Sequence, residues 1–146
     1  MKSLFATTNN HVLTLLRVVL GVIFFAHGAQ LALGWFGGHG YQGSMQFFTH
    51  VMGIPAVFAF LAIMAQFLGG LGLLVGLLSR VAAFGIAADM LVAVLKVHLA
   101  FGFFMNWFGM QKGEGYEYHL LVIAIAIAII VRGAGALSID RAISKA

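Results

Sequence analysis

The chain has 146 residues, enough for one domain, of which 62% are hydrophobic and 8% charged, where soluble proteins average about 25% charged residues. So few charges cannot cover a water-exposed surface, which excludes an ordinary soluble domain and leaves an integral membrane protein. Eight Lys/Arg against four Asp/Glu give a formal charge of +4, but the basic residues stand singly rather than in a nucleic-acid-binding patch, and the absence of cysteine excludes disulfides, thiol catalysis and thiolate-held metals.

A bilayer core about 30 Å thick needs roughly 20 apolar residues per helix. The first predicted span runs from about Val12 to Gly34, interrupted by Arg17, His27 and Gln30. A cleaved signal peptide is the alternative, but the length of the span and its internal Arg17 favour a retained helix. "GGHGYQG" then predicts a glycine-rich break and a connecting segment with Phe47, Phe48 and His50. Pro55 suits the first turn of the second span, residues 55–78, where a missing N–H costs little.

The third span covers 81–99, and "GFFMNWFGMQKGEGY" forms a second outer connection. The fourth span, 118–131, ends at "RGAG". Its "IAIAIAI" alternates with period two, yet a lone strand cannot satisfy its backbone in lipid, so a helix is expected. Ser138 and Asp140 in "LSIDRAISKA" suit the start of a short interfacial helix. The expected fold class is all-α: a single four-helix transmembrane bundle over residues 1–146.

Lys2, Arg17, Arg80, Arg132, Arg141 and Lys145 fall on one side of that arrangement, and only Lys96 and Lys112 toward the other. Positive-inside bias then places both termini in the cytoplasm. Membrane helices pack through small residues, and three stripes have that character. Arg17, Gly21, Phe25, Gly28 and Ala32 trace one on the first span, Ala65, Gly69, Gly72 and Gly76 one on the second, and Ala82, Gly85, Asp89, Val92 and Lys96 one on the third. Asp89 and Lys96 are therefore expected to face inward, about 10.5 Å apart along the axis.

A charge at the centre of a membrane helix costs about 2.5–3.5 kcal/mol, so each polar group there needs a reason. Asp89 is too short to snorkel and is the strongest candidate for a ligand or proton role. Lys96 suits either an ion pair with Asp89 or Glu117 or contact with substrate. Arg17 suits either snorkelling to headgroups or a buried role. Gln66 near mid-depth, His27 in the outer half, and His98, Glu117 and His119 at the outer mouth complete a polar set around an outward-opening cavity.

No ligand pair among these shows the i, i+3 or i, i+4 spacing of helical metal sites. Glu117 and His119 point to different faces of a helix, so neither metal nor haem is expected. His11, His39 and His50 read as interfacial residues, and Trp107, Tyr116 and Tyr118 as an outer aromatic belt.

The blocks "RVVLGVIFFAHGAQLAL", "AQFLGGLGLLVGLLSR", "LVAVLKVHLAFGFF" and "GYEYHLLVIAIAIAIIVRGAGALSID" resemble, in order, the four blocks of the DoxX family, over most of the chain. One departure is Gln66, where the family often carries an acid. The resemblance implies a small four-helix protein of the bacterial inner membrane. Members have been linked to thiosulfate:quinone oxidoreduction, to quinone or catechol stress, and to membrane complexes with superoxide dismutase and a sulfurtransferase. Many carry only a general oxidoreductase label, and the family supplies no catalytic set to carry over.

Three functions follow. The first is a redox-associated membrane protein binding a quinone-like molecule among its helices, with His27 or His98 bonding a carbonyl oxygen, Asp89 or Glu117 relaying a proton and Lys96 stabilising negative charge. The second is a non-catalytic anchor or assembly subunit for a soluble oxidoreductase, or a homo-oligomer. The third is a small solute or proton carrier lined by Asp89, Lys96 and Arg17.

Overall fold

The computed structural model describes residues 2–145. Its helices are α1 (Lys2–Phe5), α2 (His11–Leu33), α3 (Gly40–Gln46), α4 (Ala56–Val75), α5 (Ser79–Lys96), α6 (Glu117–Arg132) and α7 (Ile139–Lys145). Short 3-10 turns at Trp35–Gly37 and His98–Phe101 and a π-helical turn at Phe47–Val51 join them. No strand occurs among the described residues, and the alternating "IAIAIAI" lies within α6. The side chain of Lys2, counted above among the basic residues, lies outside the described residues.

Two helices, α2 and α4, are long and apolar enough to cross a membrane. Pro55 stands immediately before α4, and its carbonyl accepts from Phe58 and Ala59 N–H at 2.9 and 3.0 Å, starting the helix. The connecting segment is mostly helical. The break is confined to residues 34–39, after which α3 folds back along α2. Gly38 permits this, because a Cβ there would lie 2.3 Å from the Gln30 carbonyl oxygen.

Helix α2 packs most extensively on α4, which also contacts α5, and α5 packs on α6. Small residues set these contacts: Gly28 of the first-span stripe and, outside the expected stripes, Gly70 on the α2–α4 side, and Ala65, Gly69 and Gly85 on the α4–α5 side. A Cβ on Gly28 would lie 2.3 Å from Phe67 Cα, and one on Gly70 2.3 Å from Phe25 N, so α2 and α4 touch backbone to backbone. The other side of α4 meets α5: Gly69 faces Ala82 and Ile86, and Gly85 faces Ala65. Leu20, Phe24, Leu73, Ile86, Val122, Ala126 and Ile129 fill the centre between the helices.

The third-span stripe differs from expectation beyond Asp89. The residues of α5 buried deepest are Ser79, Ala83, Ile86 and Met90, while Val92 is 43% exposed and Lys96 is exposed. The deepest positions lie one residue along from the stripe, with Ala83, Ile86 and Met90 beside Ala82, Gly85 and Asp89. At about 100° per residue Lys96 keeps a direction between those of Gly85 and Asp89, so its exposure goes with its place as the last residue of α5.

Both described ends of the chain lie together, with α1 in contact with α7. There Gly76 in left-handed conformation ends α4, and Leu78 adopts φ 49° and ψ 38° before α5. Asp140 of α7 stabilises this corner. Its carboxylate accepts from Leu78 N–H at 2.7 Å and Ser79 N–H at 2.9 Å, and its own N–H donates to the Gly76 carbonyl at 2.8 Å. Ser138 caps α7 as expected, its Oγ accepting from Arg141 N–H at 3.2 Å.

Candidate functional site

The candidate residues separate into two pairs and several isolated groups. Gln66 of α4 and Asp89 of α5 form the first pair. Gln66 Nε2 donates to Asp89 Oδ2 at 2.7 Å, near the middle of both helices. Both side chains are half-buried. The small residues Ala65, Gly69 and Gly85 bring the two helices close enough for so short a side-chain bond. The partner of Asp89 is thus an amide rather than Lys96. Asp89 Oδ1 accepts no hydrogen bond among the described residues.

His98 and His119 form the second pair. Their ring centroids are 4.0 Å apart, with planes tilted by 40°. His98 Nδ1 donates to the Glu114 carbonyl at 2.8 Å, which leaves Nε2 as the ring's acceptor. His119 is 6% exposed, and its Nδ1 is buried without a partner. Tyr118, expected in an aromatic belt, instead packs against the apolar centre, with its hydroxyl buried and unpartnered. Trp107 is 80% exposed, as a belt residue should be.

Glu117 is engaged elsewhere. Its Oε1 accepts from Met105 N–H at 2.9 Å and from Trp107 Nε1 at 3.3 Å, while Glu114 Oε2 accepts from Asn106 N–H at 2.6 Å. Both carboxylates organise the loop between α5 and α6. Glu117 and His119 do point different ways, as their two-residue spacing requires.

Three candidates do not join either pair. His27 is exposed on α2, because the packed face of that helix runs through Arg17, Leu20, Phe24 and Gly28. Lys96 is exposed for the reason already given. Arg17 is 1% exposed at the far end of the molecule. Its Nε donates to the Ala134 carbonyl at 2.8 Å, and its terminal nitrogens to the carbonyls of Leu73, of Leu74 at 3.0 Å and of Leu137 at 2.5 Å. Arg17 therefore fastens α2 to the end of α4 and to the segment after α6, and does not snorkel.

The sequence argument missed Asp140 as the cap of α5. Its place on a charge-poor chain was the available signal, since a buried acid must find donors. Two open depressions, of about 400 and 460 Å³, lie at the end carrying the chain termini. One is lined by Leu4, Arg80, Val81, Phe84 and Ile130, and the other by Thr8, Asn9, Asn10, Val12, Leu13 and Arg132. Neither includes a member of the two polar pairs. No group of three or more His, Cys, Asp or Glu suited to a metal occurs among the described residues.

The DoxX family model matches residues 12–99. The chain is 30% identical to "Inner membrane protein YqjF" of Escherichia coli (strain K12), with 88% of this chain and 89% of that protein covered. It is also 30% identical to "Putative oxidoreductase CatD" of Bacillus subtilis (strain 168), over 90% of this chain and 86% of that protein. No solved structure matches the chain. With its two apolar helices of membrane-crossing length and a family match spanning more than half of its residues, the chain belongs to the DoxX family and is a protein of the bacterial inner membrane.

Proposed function

We propose that this chain is a redox-associated protein holding a quinone-like molecule inside a four-helix transmembrane bundle of α2, α4, α5 and α6, with both termini cytoplasmic. The Gln66–Asp89 hydrogen bond carries this reading. An acid placed mid-helix in lipid is rarely idle. Here one carboxylate oxygen is fixed by Gln66, and the other remains to bond a quinone carbonyl through a shared proton or a quinol hydroxyl directly. The Gln66 amide in place of an acid makes this a one-carboxylate site. The oxidoreductase name of one relative favours the same class. His98, in the turn after α5, and His119, on α6, offer this ligand class a second polar contact toward the outer end of the bundle.

The test is saturable binding of a short-chain ubiquinone analogue to the protein in lipid nanodiscs. Asp89→Asn keeps an oxygen for Gln66 but removes the ionisable group. It should weaken binding about tenfold, the scale of one hydrogen bond to a charged group. No binding, or equal binding by the variant, would overturn the proposal.

A second reading, an anchor or assembly subunit for a soluble oxidoreductase or for another copy of this chain, draws on the exposed His27 of α2. A polar ring on a lipid-facing helix is stabilised when a partner covers it. Cross-linking from position 27 that captures only lipid would sink it. The carrier alternative draws no such support, since Arg17, one of its three proposed lining groups, is enclosed by carbonyl acceptors.

A further inference from the structure

The depression of about 460 Å³ between the start of α2 and the end of α6 is far from the Gln66–Asp89 pair and independent of the function proposed for it. Thr8, Asn9, Asn10 and Arg132 contribute hydrogen-bond donors to its wall, and Val12 and Leu13 contribute apolar surface. No carboxylate lines it. Of the other arginines at this end, Arg17 is held as described and Arg80 by the carbonyls of Ala6 and Ile130, while Arg141 of α7 does not line this depression. Arg132 differs. It is exposed, and among the described residues its guanidinium makes no hydrogen bond; only its backbone carbonyl is engaged, by Thr8 N–H at 3.3 Å.

Asp140, the acid of this end, already holds Leu78 and Ser79 N–H and cannot neutralise Arg132. Asn10 uses its Oδ1 on Leu13 N–H, so the group it has left to offer is its NH2 donor. Asn9 is exposed and makes no side-chain bond among the described residues. The groove therefore presents donors and one positive charge, beside Val12 at 64% exposure, where two helices end. An arginine fork matches two oxygens of a phosphoryl group.

We propose that this groove binds a phosphoryl oxyanion, supplied by the headgroup of an anionic phospholipid whose acyl chain lies along Val12 and Leu13. Such a lipid would bridge the first and last long helices at the membrane surface. The site would also admit free phosphate, which shares the recognised group.

Native mass spectrometry of the delipidated full chain in neutral detergent tests this, using phosphatidylglycerol, phosphatidylcholine and inorganic phosphate as probes. The wild type should retain phosphatidylglycerol about fivefold better than phosphatidylcholine, as charge-assisted bonding to Arg132 requires. That preference should vanish in Arg132→Gln and in Asn9→Asp, the latter at a position with no role in the fold, and should persist in Lys145→Gln. Displacement of the lipid by millimolar phosphate would identify a free phosphoryl ligand, and its persistence the lipid; either supports the site. Equal retention of the two lipids, or equal loss in Lys145→Gln, would overturn it.

Discussion

Each of the four carboxylates in this chain is held by N–H donors. Asp89 takes Gln66, Glu114 takes Asn106, Glu117 takes Met105 and Trp107, and Asp140 takes Leu78 and Ser79. Arg17 mirrors this with carbonyl acceptors. For the half-buried Asp89 and the buried Asp140 and Arg17, out of reach of water, hydrogen bonds must stand in for solvation. Arg17→Met should accordingly destabilise the protein by about 3 kcal/mol or more, because it strands loop carbonyls at Ala134 and Leu137 as well as losing the cation's bonds. Denaturation in detergent micelles measures it, and a variant as stable as wild type would remove Arg17 from the structural account. Its acceptors lie 117 and 57 residues away along the chain. Sequence left snorkelling and burial both open for that reason: the side chain reaches equally well in either direction.

At the scale of elements, α4 carries adjacent glycines with opposite surroundings. A Cβ on Gly70 would meet Phe25 N at 2.3 Å, whereas one on Gly69 finds its nearest neighbour, the Ala82 carbonyl oxygen, at 3.6 Å. Gly70→Ala should force α2 from α4 and cost about 2 kcal/mol or more, in the range of overpacking, while Gly69→Ala should change stability by less than about 0.5 kcal/mol. Thermal unfolding of the two variants side by side checks this, and equal losses would contradict the backbone contact. The small-residue stripes of the first and second spans were legible because close helix approach in a membrane demands small side chains. The third stripe was legible only as far as Asp89. The positions one residue along, Ala83, Ile86 and Met90, took the centre, and Val92 and the helix-terminal Lys96 are exposed.

For the whole molecule, Arg17, Arg80, Arg132, Arg141 and Lys145 lie at the end where α1 meets α7, and Lys96 and Lys112 toward the other. If that end is cytoplasmic and four helices cross the membrane, single cysteines should report it cleanly, since the native chain has none. In intact cells Lys112→Cys should react with a membrane-impermeant maleimide, and Lys145→Cys only after permeabilisation. Labelling of both in intact cells would refute the proposed topology.

Composition and periodicity by themselves determined the class of this protein. Scarce charge requires lipid, an apolar run in lipid requires a helix, and small residues recurring every three or four positions mark where helices touch. The four ordered blocks carried the family as well. Only the tertiary structure decided which polar group meets which: Gln66 with Asp89, His98 with His119, Arg17 with distant carbonyls, and His27 with none of them. A one-residue offset turns a side chain by about 100° around its helix. Such pairings therefore depend on how each helix is rotated against its neighbours, and that rotation is fixed by packing across the molecule rather than by any local stretch of chain.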